Sequence, residues 1–303
     1  MPRFFRLIIT IVILGAFLFI SQQAWARDWR PVRGGISFGI SGMALVEQQD
    51  NTLNFLVVHD NKQKNQGRLA IISIKGKNQP EYFAVDWPSK TELPIDLEAL
   101  TSVPGKNNTE FIALTSLGKA YYLKLNSAKK TVSVLKEFNL PNVPQGSNFE
   151  GFGLQDIDGK LVAIWAHRGA EEQPATVYWG NFNPFTYQIT LAGSRDLQVP
   201  FPADNVRHIS DIKVDSAGIV YITSASDAGD DGPFQSALYV AGYLGFSGNK
   251  IVWRQNSQLV PIYRANYRKI EGMELVPGNA GGVVFGTDDE SLGSYVYLMG
   301  SGG

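Results

Sequence analysis

Apolar residues along this chain come in short bursts. Leu53 to Val58, Leu69 to Ile74 and Tyr82 to Trp87 are rich in β-branched and aromatic side chains and are separated by Gly, Asn, Asp, Ser or Pro. The pattern returns as Phe111 to Leu114, Tyr121 to Leu125 and Val132 to Leu135, then as Leu161 to Trp165, Thr176 to Trp179 and Gln188 to Leu191. It returns again as Val220 to Thr223, Leu238 to Val240 and Ile251 to Trp253, and a last group holds only Val283 to Phe285 and Tyr295 to Leu298. Runs of this length between turn formers predict strands. No segment sustains a helical period with caps.

A short phrase precedes each group. Ile40-Ser41-Gly42-Met43, Leu97-Glu98-Ala99-Leu100, Phe149-Glu150-Gly151-Phe152, Ile209-Ser210-Asp211-Ile212 and Ile270-Glu271-Gly272-Met273 follow one another at steps of 57, 52, 60 and 61 residues. Each period holds one four-stranded sheet, the phrase being its first strand. A sheet with two apolar faces must bury both, and packing five such sheets around an axis does so. The pattern therefore predicts an all-β, five-bladed β-propeller. A large β-sandwich is the competing architecture, and it leaves the five-fold phrase unexplained. The fifth group lacks an outer strand, which Trp29 to Arg33 is placed to supply.

Composition fits this picture: 31 Gly, 15 Pro and 12% aromatic residues suit many strands and turns. With 27 basic against 28 acidic residues, the chain has no basic excess of the kind that wraps nucleic acid. There is no cysteine, hence no disulfide framework and no lipid-bearing thiol. Arg3 and Arg6, the apolar stretch Leu7 to Ile20 and the small-x-small Ala24-Trp25-Ala26 read as a signal peptide, residues 1–26. An uncleaved anchor is the alternative, for which the apolar run is short. The expectation is one propeller domain over residues 27–303, exported to a periplasm, a lumen or the extracellular space. It would be monomeric, with no membrane span after processing.

The innermost strand of a blade lines the axis, so one position shared by all five phrases faces it from five directions. That position holds Ser41, Glu98, Glu150, Ser210 and Glu271. Three carboxylates gathered there would raise one another's pKa unless a cation sat among them. Hard oxygen ligands without imidazole or thiolate suit one central Ca²⁺ rather than zinc. Loops between second and third strands emerge on the same rim. They carry His59 and Asp60, Ser116 with Lys119, His167 with Arg168, Ser226 with Asp227, and Thr287 with Asp288 and Asp289. Of these, His59, Asp60, Lys119, His167, Arg168 and Asp288 are the expected substrate-binding residues, for an anionic small molecule or for a protein or glycan at the rim.

The pattern Ser, Glu, Glu, Ser, Glu over five blades resembles the calcium-activated nucleotidase (apyrase) family, secreted five-bladed propellers with a central Ca²⁺. Lys269-Ile270-Glu271-Gly272-Met273-Glu274 is the closest local match. Asp96-Leu97-Glu98-Ala99 and Asn148-Phe149-Glu150-Gly151 equally resemble the blade starts of bacterial phytase-like or esterase-like propellers. The likeness covers the repeat frame but not the nucleotidases' longer charged stretches. It implies either a calcium-stapled binding or scaffold module or a calcium-dependent phosphoester hydrolase. Gly35-Ile36-Ser37-Phe38-Gly39 satisfies G-x-S-x-G, but no helix follows to make a nucleophile elbow.

Overall fold

The computed structural model describes residues 29–278 and 282–300. The expected signal peptide lies outside them. They form five antiparallel sheets and two short 3₁₀ turns, Ile36–Phe38 and Glu290–Leu292. No helix among the described residues is long and apolar enough to cross a membrane.

Blade 5 is built from both ends of the described chain, so it comes first and last. Strand β1 (Arg30–Arg33) is its outer edge. Blade 1 follows as β2 (Gly42–Gln49), β3 (Thr52–Val58), β4 (Leu69–Lys75) and β5 (Glu81–Val85), and blade 2 as β6 (Leu97–Ser102), β7 (Glu110–Thr115), β8 (Lys119–Asn126) and β9 (Thr131–Asn139). Blade 3 runs β10 (Phe149–Ile157), β11 (Lys160–His167), β12 (Ala175–Asn183), β13 (Gln188–Leu197). Blade 4 runs β14 (Val206–Val214), β15 (Ile219–Ser226), β16 (Gln235–Ser247), β17 (Lys250–Gln255), with β18 (Tyr263–Asn266) pairing the first part of β16. Blade 5 then adds β19 (Ile270–Val276), β20 (Gly282–Thr287) and β21 (Ser294–Met299), and β1 completes it by pairing with β21. This is the expected five-bladed propeller, closed by the predicted strand.

Packing explains why the strands read as unbroken apolar runs. In β3, Leu53, Phe55 and Val57 enter the core shared with blade 5, while Leu56 and Val58 enter the core shared with blade 2. Successive side chains of a strand point to opposite faces, and here each face meets another blade. The same holds around the ring, where apolar clusters fill the remaining blade junctions.

The phrases mark where innermost strands meet. Ala built at Gly42 would place Cβ 2.8 Å from Leu100 N, and at Gly151 it would lie 2.9 Å from Ile212 N. Only a hydrogen leaves room there. The blades are also stitched by backbone: Ile40 N–H donates to Thr287 O, Phe149 N–H to Ser116 O and Ile209 N–H to Arg168 O, each about one blade back. Deeper along the axis Lys213 Nζ reaches from blade 4 to the Leu100 carbonyl of blade 2 at 2.5 Å, with Asp211 Oδ2 3.7 Å away. Below this bridge a cavity of about 380 Å³ opens at the far end.

Candidate functional site at the channel mouth

Three glutamates reach the mouth because the innermost strands bulge there. Leu97 pairs with Thr115 and Ala99 with Leu114, leaving Glu98 unpaired. The same shift leaves Glu150 unpaired between Phe149 and Gly151, and Glu271 between Ile270 and Gly272. A bulged residue is re-aimed out of the pleat. In blade 4 the irregularity is longer, between Arg207 and Asp211, and it changes what arrives. Arg207 NH1 lies 2.8 Å from Glu271 Oε1 and 3.9 Å from Glu150 Oε1, while its NH2 meets Asp227 at 2.5 Å. Ser210 turns away. Its Oγ donates to the Ile270 carbonyl at 2.7 Å and sits 3.0 Å from Thr223 Oγ1.

The expected five-residue cage for a central Ca²⁺ therefore does not assemble as read. Arg168 NH1 is 3.2 Å from Glu150, and Lys269 Nζ is 3.1 Å from Glu271 and also pairs with Glu290. Glu150 and Glu271 thus meet protein cations at the place where a metal was expected to balance them. Ser41 stays buried with its Oγ unpartnered. Among the described residues, a metal-sized gap between carboxylates occurs at Asp60, Asp96 and Glu98, whose oxygens come within 4.8 Å of one another. There Lys62 Nζ stands 3.0 Å from Asp96, and Ser116 Oγ donates to the same carboxylate at 2.5 Å.

The mouth is consequently two-sided. Blades 3 and 4 bring Arg168 and Arg207, paired with Glu150 and Glu271; blades 5, 1 and 2 bring Asp288, Asp60, Asp96 and Glu98 with the two lysines Lys269 and Lys62 among them. Glu98 is 8% exposed and forms no hydrogen bond or ion pair among the described residues. Burial, reinforced by Glu150 and Glu271, raises its pKa well above the ordinary carboxylate range. Asp60 is less enclosed, and burial with repulsion from Glu271 and Asp96 lifts it to about 6. Asp288 is raised by burial and then by Glu271, and it fits only because Gly39 faces it: a Cβ there would lie 2.2 Å from the Asp288 carboxyl carbon.

Asp60 is fixed by its neighbours. His59 Nδ1–H donates to Gly39 O at 2.5 Å, and in the neutral ring Nε2 accepts from Tyr82 Oη at 3.1 Å. Burial accordingly lowers the His59 pKa to about 4. Asn61 Nδ2 donates to Ser37 O and Gly67 O, and Arg68 clamps the loop to the Pro94, Gln63 and Gln66 carbonyls. His59, expected at substrate, is thus a buried strut. His167 plays a similar part, its Nδ1 accepting from Gly169 N–H at 3.0 Å, while Arg168 beside it turns to Glu150. Lys119 leaves the rim altogether: it pairs with Glu137 at 2.8 Å and lies 5.1 Å over the Tyr121 ring, toward the outer strand.

Arg207, Lys269 and Asp96 are site residues that the sequence reading missed. Asp96 and Lys269 stand just before their phrases, and a systematic look at that preceding position would have found both. Arg207 depends on the longer bulge of blade 4, which spacing alone does not reveal.

No protein-family model and no curated protein sequence matches the chain. Solved structures do share its fold. An endo-1,4-β-xylanase from Bacteroides thetaiotaomicron aligns over 87% of this chain and 92% of its own, at 8% identity and a TM-score of 0.56. A thermostable family-43 glycoside hydrolase aligns over 88% and 90% at 13% identity and a TM-score of 0.50. An α-L-arabinofuranosidase from Podospora anserina, solved with cellotriose, aligns over 91% and 98% at 10% identity and a TM-score of 0.50. At such identities the likeness is one of fold. It corrects the resemblance to calcium-activated nucleotidases and phytase-like propellers, and with it the calcium-stapled scaffold and the phosphoester hydrolase. In blades 2, 3 and 5 the phrases behind that resemblance encode a bulge followed by a small residue, Ala99, Gly151 or Gly272. Close packing of innermost strands demands this whatever chemistry the mouth performs.

Proposed function

We propose that the channel mouth is the active site of a glycoside hydrolase acting on uncharged glycan outside the cytoplasm. The carrying observation is Glu98, an enclosed carboxyl with no hydrogen bond or ion pair among the described residues, beside Asp60. Glycosidic cleavage needs two carboxyl groups in opposite protonation states, and unequal surroundings are what separate them. Glu98, the more buried, is suited to protonate the departing glycosidic oxygen. Asp60, ionised above about pH 6, is suited to attack the anomeric carbon. The resulting glycosyl ester would be opened by water, with Glu98, now a carboxylate, taking the proton from that water.

Spacing sharpens the reading. One oxygen of each carboxyl lies within 4.8 Å of the other, closer to the roughly 5–5.5 Å spacing of retaining glycosidases than to the roughly 6.5–9.5 Å of inverting ones. Retention of anomeric configuration is the expected outcome. Arg168, Arg207, Lys269 and Lys62 are each already paired with a carboxylate, so the mouth offers an anion little unspent positive charge and suits neutral sugar hydroxyls. The glycoside hydrolases named above have the same fold, which supports the reading, as does the leader-like N-terminal sequence for export.

The test is turnover of aryl glycosides, xylan, arabinan and cello-oligosaccharides by the purified protein, with product configuration followed by proton NMR. Hydrolysis with retention, reduced at least about 100-fold in Glu98→Gln, is expected. A protein that folds and cleaves none of these substrates removes the basis for the proposal.

A further inference from the structure

Beside the mouth, on the same rim, lies a second cavity of about 480 Å³. Asp204, Asn205, Phe234, Gln235, Asn266 and Tyr267 line it. Its walls run directly into the mouth. Ser226, at its inner edge, precedes Asp227, the partner of Arg207; Tyr267 precedes Arg268, which pairs with Asp289 at 3.3 Å.

The cavity is built unlike the mouth. Phe234 is buried in its wall, and the side-chain amides of Asn205, Gln235 and Asn266 are exposed, with no hydrogen bond inside the described chain. Each amide offers both donors and an acceptor, as a sugar hydroxyl requires. Tyr267 is 70% exposed and stands at φ 63°, its N–H donating to Phe234 O at 2.6 Å. A bulky residue in the left-handed region is uncommon and costs conformational energy. Glycine would relieve that cost, yet the chain presents a large ring to solvent at the cavity edge.

We propose that this cavity is a subsite for a further unit of an uncharged oligosaccharide whose scissile bond lies at the mouth. Tyr267 stacks against the apolar face of that sugar, and the three amides bond its hydroxyls. Asp204 at the edge discriminates against an anionic sugar. The inference rests on the reading of the mouth as a glycosidase and adds its substrate class, a chain rather than a single sugar.

Two measurements separate the two ideas. Steady-state kinetics compare wild type, Tyr267→Ala, Tyr267→Phe and Asn266→Ala on aryl monosaccharides and on xylo-, arabino- and cello-oligosaccharides. Calorimetry follows the same oligosaccharides on Glu98→Gln with and without Tyr267→Ala. The oligosaccharide KM and Kd should rise about fivefold or more in Tyr267→Ala, well beyond any change on the monosaccharide, with recovery in Tyr267→Phe. Asn266→Ala serves as the second variant should Tyr267→Ala not fold. Oligosaccharide affinity that is absent, or insensitive to Tyr267 and Asn266, overturns the subsite. Tyr267-dependent binding without cleavage of any substrate sustains the subsite and overturns the hydrolase.

Discussion

Glu98 and Asp60 are both carboxyls, and only their surroundings assign them different work. Glu98 is buried with no hydrogen bond or ion pair among the described residues; Asp60 sits nearer solvent, with Lys62 drawing its pKa back down. Activity should therefore rise through about pH 6 as Asp60 ionises, and fall at higher pH where Glu98 loses its proton. A pH profile of kcat/KM reads both limbs, and a flat profile between pH 4 and 9 would contradict the assignment. His59 makes a separate statement, about stability. Its folded pKa of about 4 lies below its ordinary 6.5, so between those values the unfolded chain binds the proton and the folded chain does not. The His59 contribution to stability is complete above about pH 6.5 and falls by as much as about 1.4 kcal/mol per pH unit toward pH 4. The raised carboxyls Asp60, Asp211 and Asp289 act in the opposite sense over the same range, so the contribution is read as a difference. Denaturant melts of wild type and His59→Gln, compared at pH 7 and pH 5, should show wild type losing more stability, or gaining less, than the variant. At this scale the sequence was informative where a residue repeats in register, as Glu98, Glu150 and Glu271 do. It was silent about orientation: Ser210 shares their register and faces Ile270 instead.

The glycine after the bulge sets how closely one innermost strand approaches the next. Gly151→Ala would drive a methyl against the Ile212 backbone and should cost about 1–3 kcal/mol. Gly67 has nothing within 4 Å of a hypothetical Cβ, and Gly67→Ala should change stability by less than about 0.5 kcal/mol. Thermal melts of the two variants test whether packing at the hub, rather than loss of glycine as such, decides the outcome. Strand positions were most legible where a strand is buried on both faces, as β3 is between blades 5 and 2. The β18 segment was not, since Tyr263–Asn266 is short and mixed and owes its pairing to the length of β16. Lys119 shows the limit of reasoning by loops. It lies at the right turn, but it opens β8, and Glu137 across the sheet captures it.

For the molecule as a whole, the ring depends on β1. Val32 sits in the core between blades 5 and 1, and Arg30 NH1 reaches the Gly76 carbonyl at 2.7 Å. Removing residues 29–34 would bare the edge of β21 and unseat this junction. Loss of the cooperative melt and association through the open edge are expected, followed by circular dichroism and gel filtration. An unchanged melt would mean that the other blades hold the ring without its clasp.

That clasp also sets a timetable. Arg30 pairs with Val296, so the first described strand has no partner in its own sheet until the last has been made. Blades 1 to 4 can form from neighbouring segments as they emerge. Blade 5 must instead bring distant residues together, which makes its assembly the slow, entropically costly step. Throughout that interval one strand's worth of unpaired amides travels with the nascent chain. The period of greatest exposure to mispairing is thus written into the connectivity, and it ends only when the two ends of the ring find each other.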